Sequence, residues 1–282
     1  MTALSEKAML VRLSISGWSA RKYDRKISEE VADQHGADRD VGRYNKCLVA
    51  QEAVKNYQKV SNEARIFHYE NTLPWKDSGE RILPAANFDF YSHKMREFKS
   101  KYEVEVRTFV YVYPTLKDQA KQKLNGLYNE ADYPPASEID RKFGFYTQID
   151  PLPNEDDFRV ALQNNDILKI REDIRSRVID AEGQAMRDLW NRLHTCVDHM
   201  ATTLKDPDAK FKNSMVGNIT ELCALLPRLN ISGDPNLETM RKEVEAKLAS
   251  IDPQSLRDND YERLKAQQEA DAILKAMSGY MG

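Results

Sequence analysis

The sequence predicts a mainly α, α+β fold: long helices with a small two- or three-stranded β element, not an OB fold. Three observations predict it. Apolar residues recur at three/four spacing over long stretches, the mark of amphipathic helices. Strand-like alternation is confined to two short segments, whereas an OB barrel needs five evenly spaced strands. Gly and Pro number only 11 each in 282 residues, which suits a helix-rich chain with few tight turns.

Taken in order, Val11, Leu13 and Ile15 alternate with Arg12, Ser14 and Ser16, a strand pattern that Gly17 ends. Residues 19–35 read as a polar helix with Tyr23, Ile27 and Val31 on one stripe, and 36–43 as a charged turn. A longer helix is predicted over 50–69, with Val54, Tyr57, Val60, Ala64 and Phe67 inward. Two prolines and a glycine make 71–84 a loop or irregular arm. Tyr91, Met95, Phe98, Tyr102, Val106, Phe109 and Tyr113 form one stripe over 88–113, and Pro114 lets a new helix start over 116–127. Ser137 is a candidate N-cap for a short helix to 142, and 143–149 alternates as a second strand. Beyond 154 the pattern is all helix: a ten-turn stripe over 166–204 with a kink expected at Gly183, then helices over 214–226, 236–250 and 252–277, each opened by a Ser, Asn or Asp cap candidate.

Composition changes along the chain. The net charge is −3 and the mean hydropathy −0.69. Residues 1–150 hold 24 Lys/Arg, 22 Asp/Glu and 20 of the 25 aromatic residues; the rest holds 18 and 23 with five aromatics. This shift divides the chain into an aromatic-rich α+β part, 1–153, and a helical part, 154–282, as two domains or one continuous domain. No apolar run reaches the ~18–20 residues of a membrane span, and Arg12 interrupts the apolar run that a signal peptide needs. Three widely spaced cysteines, Cys47, Cys196 and Cys223, make no disulfide framework or zinc ribbon and suit a reducing compartment. The expected location is the cytoplasm, a host's cytoplasm if the chain is phage-encoded.

No phosphate-binding glycine loop, nucleophile elbow or kinase signature is present. The densest ligand-type cluster is His194, Cys196, Asp198 and His199. On one helix these side chains diverge, and structural zinc draws its four ligands from separate segments. Cys196 is therefore read as a small core residue, and no metal, cofactor or catalytic residue is expected. Adjacent acids such as Asp156 and Asp157 point apart rather than converge on a substrate.

The more informative region mixes cations with aromatic rings. Trp18, Arg21, Lys22, Tyr23, Arg25 and Lys26 fall within nine residues, and Arg43, Tyr44 and Lys46 form a second cluster. Arg65, Phe67, His68 and Tyr69, then Trp75 and Lys76, continue the mixture. Cations neutralise phosphates, and rings offer faces on which unpaired bases stack. Trp18, Tyr23 and Tyr44 are thus candidate base platforms, and Arg21, Lys22, Arg25, Lys26, Arg43 and Lys46 candidate phosphate contacts. The structural alternative puts Tyr23 on a core stripe and the cations on a solvated face diluted by Glu29, Glu30, Asp33, Asp38 and Asp40. At the other end, Met277, Tyr280 and Met281 are candidates for an oligomer or partner contact, a homo-oligomer being expected.

The stretch 81–153 has a distinctive order. Arg81-Ile82-Leu83-Pro84-Ala85 precedes the long helix; Tyr113-Pro114, Asp132-Tyr133-Pro134-Pro135, Phe143-Gly144-Phe145 and Pro151-Leu152-Pro153 follow. It resembles a family of bacterial and phage proteins encoded beside MoxR/CobS-type AAA+ ATPases, which carries no catalytic residues over to this chain. In size and character the chain is also similar to podovirus single-stranded-DNA-binding proteins that act as cofactors of a phage RNA polymerase. That second resemblance implies non-enzymatic DNA binding in transcription or replication. The alternative expectation is an interaction protein, an adaptor working with an AAA+ ATPase and no nucleic acid.

Overall fold

The computed structural model describes the chain except residues 1–3, 76–78, 158–162, 207–208, 210 and 281–282. In chain order the elements are α1 (Leu4–Lys7), β1 (Ala8–Ser16), β2 (Arg21–Tyr23), α2 (Arg25–His35), β3 (Asn45–Cys47), α3 (Gln51–Glu70), β4 (Leu73–Pro74), β5 (Glu80–Pro84), α4 (Phe88–Leu124), β6 (Gly144–Pro151), α5 (Asn164–Lys205), α6 (Asn213–Leu229), α7 (Pro235–Val244), α8 (Ser255–Asp258) and α9 (Asp260–Met277). The fold is mainly helical α+β. Its strands form a four-stranded antiparallel sheet in the order β4-β5-β1-β6 and a separate β2-β3 ribbon, and no barrel closes among the described residues. No helix among them is long and apolar enough to cross a membrane.

Two compact units divide the chain: Met1–Arg12, Tyr69–Tyr91 and Gln148–Gly282 form one, Leu13–His68 and Ser92–Thr147 the other. The passage at Gln148 lies close to the sequence boundary at 153/154, while the segments before it add N-terminal residues to the C-terminal unit. Charge follows the units closely. The first carries 22 Lys/Arg against 29 Asp/Glu, and the second 20 against 16 with 15 of the 25 aromatics.

In the first, helical unit, Ala181, Ala185, Leu189, Leu193, Val197, Met200 and Leu204 form the buried stripe of α5, and α9 packs along it. α5 runs through Gly183 without a break. A ladder pairs β1 with β5 from Ala8↔Pro84 to Arg12↔Glu80, and β4 joins β5 through Leu73↔Ile82. The expected irregular arm at 71–84 thus contains two strands, too short to show alternation. Asp234 caps α7 and Asn259 caps α9. The expected helix over 236–250 ends in a π-helical turn, Glu245–Ala249, and the one over 252–277 is split into α8 and α9.

The second, aromatic unit is built on α3, most of α4 and the ribbon. α4 continues through Pro114 instead of restarting. Proline forfeits one intrahelical hydrogen bond, and the neighbouring Tyr113, fully buried, donates its hydroxyl to the Pro134 carbonyl at 2.8 Å. That bond anchors the Asp132-Tyr133-Pro134-Pro135 loop to the helix. Tyr133 in turn donates to the Leu48 carbonyl at 2.7 Å. Ser137 caps nothing; residues Ile139–Lys142 form a 3-10 turn with no side-chain cap. Trp18, Tyr57, Phe109, Tyr113 and Phe143 form the ring cluster at the centre, with centroids 5.2–6.0 Å apart and edge-on or tilted planes, the arrangement that the aromatic quadrupole favours.

Candidate nucleic-acid interface

The ring cluster fixes the backbone that leads into the ribbon. Three carbonyls at the end of β1 and just beyond it are held by donors from helices: Arg65 to the Ile15 carbonyl at 2.9 Å, Tyr102 to Ser16 at 2.5 Å, and Tyr57 to Trp18 at 2.7 Å. Burial raises the Tyr57 and Tyr102 pKa values, the latter to about 12, so both hydroxyls keep their protons. Ala20, buried, adopts φ 53°, and its carbonyl accepts the Leu48 N–H at 2.8 Å. A non-glycine residue in the left-handed region is held there only by its surroundings; here it swings the chain into β2 beside β3.

β2 and β3 pair antiparallel as Arg21↔Cys47, Lys22↔Lys46 and Tyr23↔Asn45. The polar helix expected over 19–35 therefore begins only at Arg25, and residues 21–23 are a strand. Asp24 marks the change: its side chain accepts the Ile27 N–H at 3.2 Å as N-cap of α2, and its own N–H donates to the Tyr44 carbonyl at 2.9 Å. Tyr23 consequently leaves the expected helix stripe and is 43% exposed. The C-terminal end of α2 is closed by Gly36 at φ 60°, whose N–H reaches the Ala32 and Asp33 carbonyls, a conformation suited to glycine.

The pairing of β2 with β3 thus brings the two basic–aromatic clusters next to each other, with Arg21, Lys22, Tyr23 and Lys46 in the strands and the others flanking them, but their members differ in availability. Arg21, Lys22 and Arg43 are exposed and have no ion-pair partner among the described residues. Opposite residues of a ladder share a face, so Arg21 and Tyr23 lie on one side with Cys47 and Asn45. Arg43 stands over the Tyr23 ring at 5.8 Å, within cation–π range. Tyr44, beside it, is 40% exposed. Arg25 and Lys26 are instead paired one helical turn on, with Glu29 at 2.7 Å and Glu30 at 3.7 Å. The hydrogen bond from Arg25 holds the Glu29 carboxyl below its ordinary pKa.

Lys46 is buried. Its ammonium contacts Asp24 at 3.1 Å, Asp132 at 2.7 Å and the Leu127 carbonyl at 3.0 Å, which uses all three donors. Burial works against its charge, and the hydrogen bonds with Asp132 and Asp24 outweigh it, so its pKa stands above the ordinary lysine value. The same ammonium is the main cause of Asp24's lowered pKa. Lys46 is a clamp between the ribbon, the start of α2 and the 127–132 loop, with no donor left for phosphate. Trp18 is half-buried, edge-on to Tyr113 at 5.5 Å and tilted against Phe109 at 6.0 Å; its ring belongs to the core cluster.

Beside the ribbon, a cleft of about 510 Å³ runs along α3 and includes Arg21, Cys47, Gln51, Gln58 and Asn62. Sequence reasoning missed it. The available signal was the amide series Gln51, Gln58 and Asn62, spaced seven and four residues apart and so on one face of a helix.

The remaining candidates lie in the helical unit. Met277 is fully buried in that unit's core, and Tyr280 stacks on Trp190 at 5.2 Å. Both therefore pack on their own unit, although Tyr280 stays 49% exposed; Met281 lies outside the described residues, as does Lys76. Cys196 packs against the core, and burial pushes its thiol up to about 11. No group of three metal-ligating side chains converges among the described residues. No protein-family model, no curated protein and no solved structure matches the chain.

Proposed function

We propose that this chain is a non-enzymatic, phage-type single-stranded-DNA-binding protein, a cofactor of transcription or replication, and that the β2-β3 ribbon is its contact surface. The observation that carries the reading is the placement of Arg21 and Tyr23 on one face of the ribbon, with Arg43 over the Tyr23 ring, exposed Tyr44 next to it just before β3, and Lys22 exposed on the other face; none of the three cations has an ion-pair partner among the described residues. Cations supply the phosphate contacts and rings the base stacking, a combination that tolerates any base sequence. The excess of positive charge in the aromatic unit steers a polyanion to this unit, and the acidic helical unit opposes non-specific coating of duplex. Compared with the sequence-based set, the interface omits Lys46 and Trp18, which hold the ribbon in place, and gives Arg25 and Lys26 a minor share.

A gel shift with a labelled single strand and the corresponding duplex, at two salt concentrations, tests it. The expected result is a shift of the single strand at low salt that weakens sharply at high salt. No shift at low salt overturns the reading; stimulation of an AAA+ ATPase without any shift would point to the adaptor alternative.

A further inference from the structure

The cleft along α3 is continuous with the ribbon, since Arg21 belongs to both. It also adjoins a second hollow of about 220 Å³, the two spaces sharing Ser19, Gln58 and Asn62. The larger space is within the ~300–1,000 Å³ of small-ligand sites.

Its chemistry differs from that of the ribbon. Glu52 and Glu63 face into it, beside Lys55 at 3.3 Å and Lys59 at 3.9 Å. These carboxylates, each paired with a lysine, keep lone pairs that can accept hydrogen bonds from exocyclic base amines. Gln58 and Asn62 are exposed, one turn apart, and have no hydrogen-bond partner among the described residues. Each amide presents a donor and an acceptor side by side, the pattern that matches the N6/N7 edge of adenine. Thymine has no exocyclic amine to offer the carboxylates.

We propose that the cleft receives bases of the strand whose phosphates the ribbon holds, and that Gln58 and Asn62 make it prefer adenine over thymine. The proposal rests on the single-strand reading and adds base selectivity to it. Phosphates are then held by Arg21, which the ribbon and the cleft share, while bases turn toward the Gln58 and Asn62 amides.

Fluorescence anisotropy with labelled oligomers of about 16 nucleotides tests it, using oligo-dA, oligo-dT and an abasic strand of equal length. Wild type should bind oligo-dA about fivefold or more tighter than oligo-dT, the lower end of what one bidentate amide–base pair provides. The Gln58→Ala/Asn62→Ala double variant should lose that preference, its oligo-dA affinity falling to that for oligo-dT. Both positions are exposed on a helix, where alanine is well tolerated. Equal binding of oligo-dA and oligo-dT by wild type overturns the proposal, as does a preference retained in the double variant; in both cases strand binding persists and the ribbon reading stands. Failure of wild type to bind any of the three strands overturns both.

Discussion

Replacing Lys46 with methionine keeps the aliphatic stem and removes the ammonium that sits between Asp24 and Asp132. The three side chains are 6%, 18% and 9% exposed, and the contacts are 3.1 and 2.7 Å. Removing one partner of a buried ionic group leaves uncompensated charge and costs about 3–5 kcal/mol. Asp24 is the most exposed of the three, which places the expected loss near the lower end, about 3 kcal/mol. The loss should depend on pH. In wild type, Lys46 is the main cause of Asp24's lowered pKa, so this contribution is present above the unfolded value of about 3.9 and is lost as pH falls through the lower folded value. Urea unfolding should therefore show a gap between wild type and variant that is full from neutral pH down to about pH 4 and narrows as pH falls below about 4. Adding Asp132→Asn to Lys46→Met should recover part of the loss, the mark of coupled sites. A neutral-pH gap below about 1 kcal/mol, the scale of an exposed pair, or a gap independent of pH, would refute the clamp.

Other outcomes follow from the same geometry. Arg25→Ala with Lys26→Ala should leave single-strand affinity nearly unchanged, because both cations are paired with Glu29 and Glu30; a loss equal to that of Arg21→Ala with Lys22→Ala in the same anisotropy titration would contradict this. Trp18→Phe should preserve binding while lowering thermal stability by about 1 kcal/mol or more through weakened ring packing, and a selective loss of affinity would return Trp18 to the interface. A thiol-reactive probe near neutral pH should label exposed Cys47 first, since burial pushes Cys196 and Cys223 up to about 11 and about 12. A bound oligonucleotide should slow that labelling, because Cys47 lines the cleft beside Arg21.

The long helices were legible because their burial repeats every three or four residues. The stripes through Tyr91, Tyr102 and Tyr113 in α4, and through Ala185, Leu193 and Met200 in α5, are the buried ones. What escaped depends on partners distant in sequence. Arg21–Tyr23 is three residues long, too short for a pattern, and becomes a strand because Asn45–Cys47 pairs with it. Leu73–Pro74 and Glu80–Pro84 are strands for the same reason. Pro114 gave a correct local signal of a lost hydrogen bond, which the packing of Tyr113 overrides.

For the candidate site, composition marked the basic–aromatic segments but did not separate their ion-paired or buried members from the exposed ones. Arg25 and Lys26 stand four residues before Glu29 and Glu30, a spacing readable as neutralising pairs on a helix. Lys46 was not readable in this way, since Asp132, which buries its charge, is 86 positions away. The net charge of −3 likewise conceals two units of opposite sign, whose segments interleave along the chain.

The central claim, that the ribbon's unpaired cations hold a single strand, is tested most directly by the salt dependence of oligonucleotide affinity. Each phosphate neutralised on a single strand contributes about −0.7 to the slope of log K against log salt. The triple variant Arg21→Ala/Lys22→Ala/Arg43→Ala should therefore reduce the slope by about 2 relative to wild type. An unchanged slope and affinity in that variant would contradict the account.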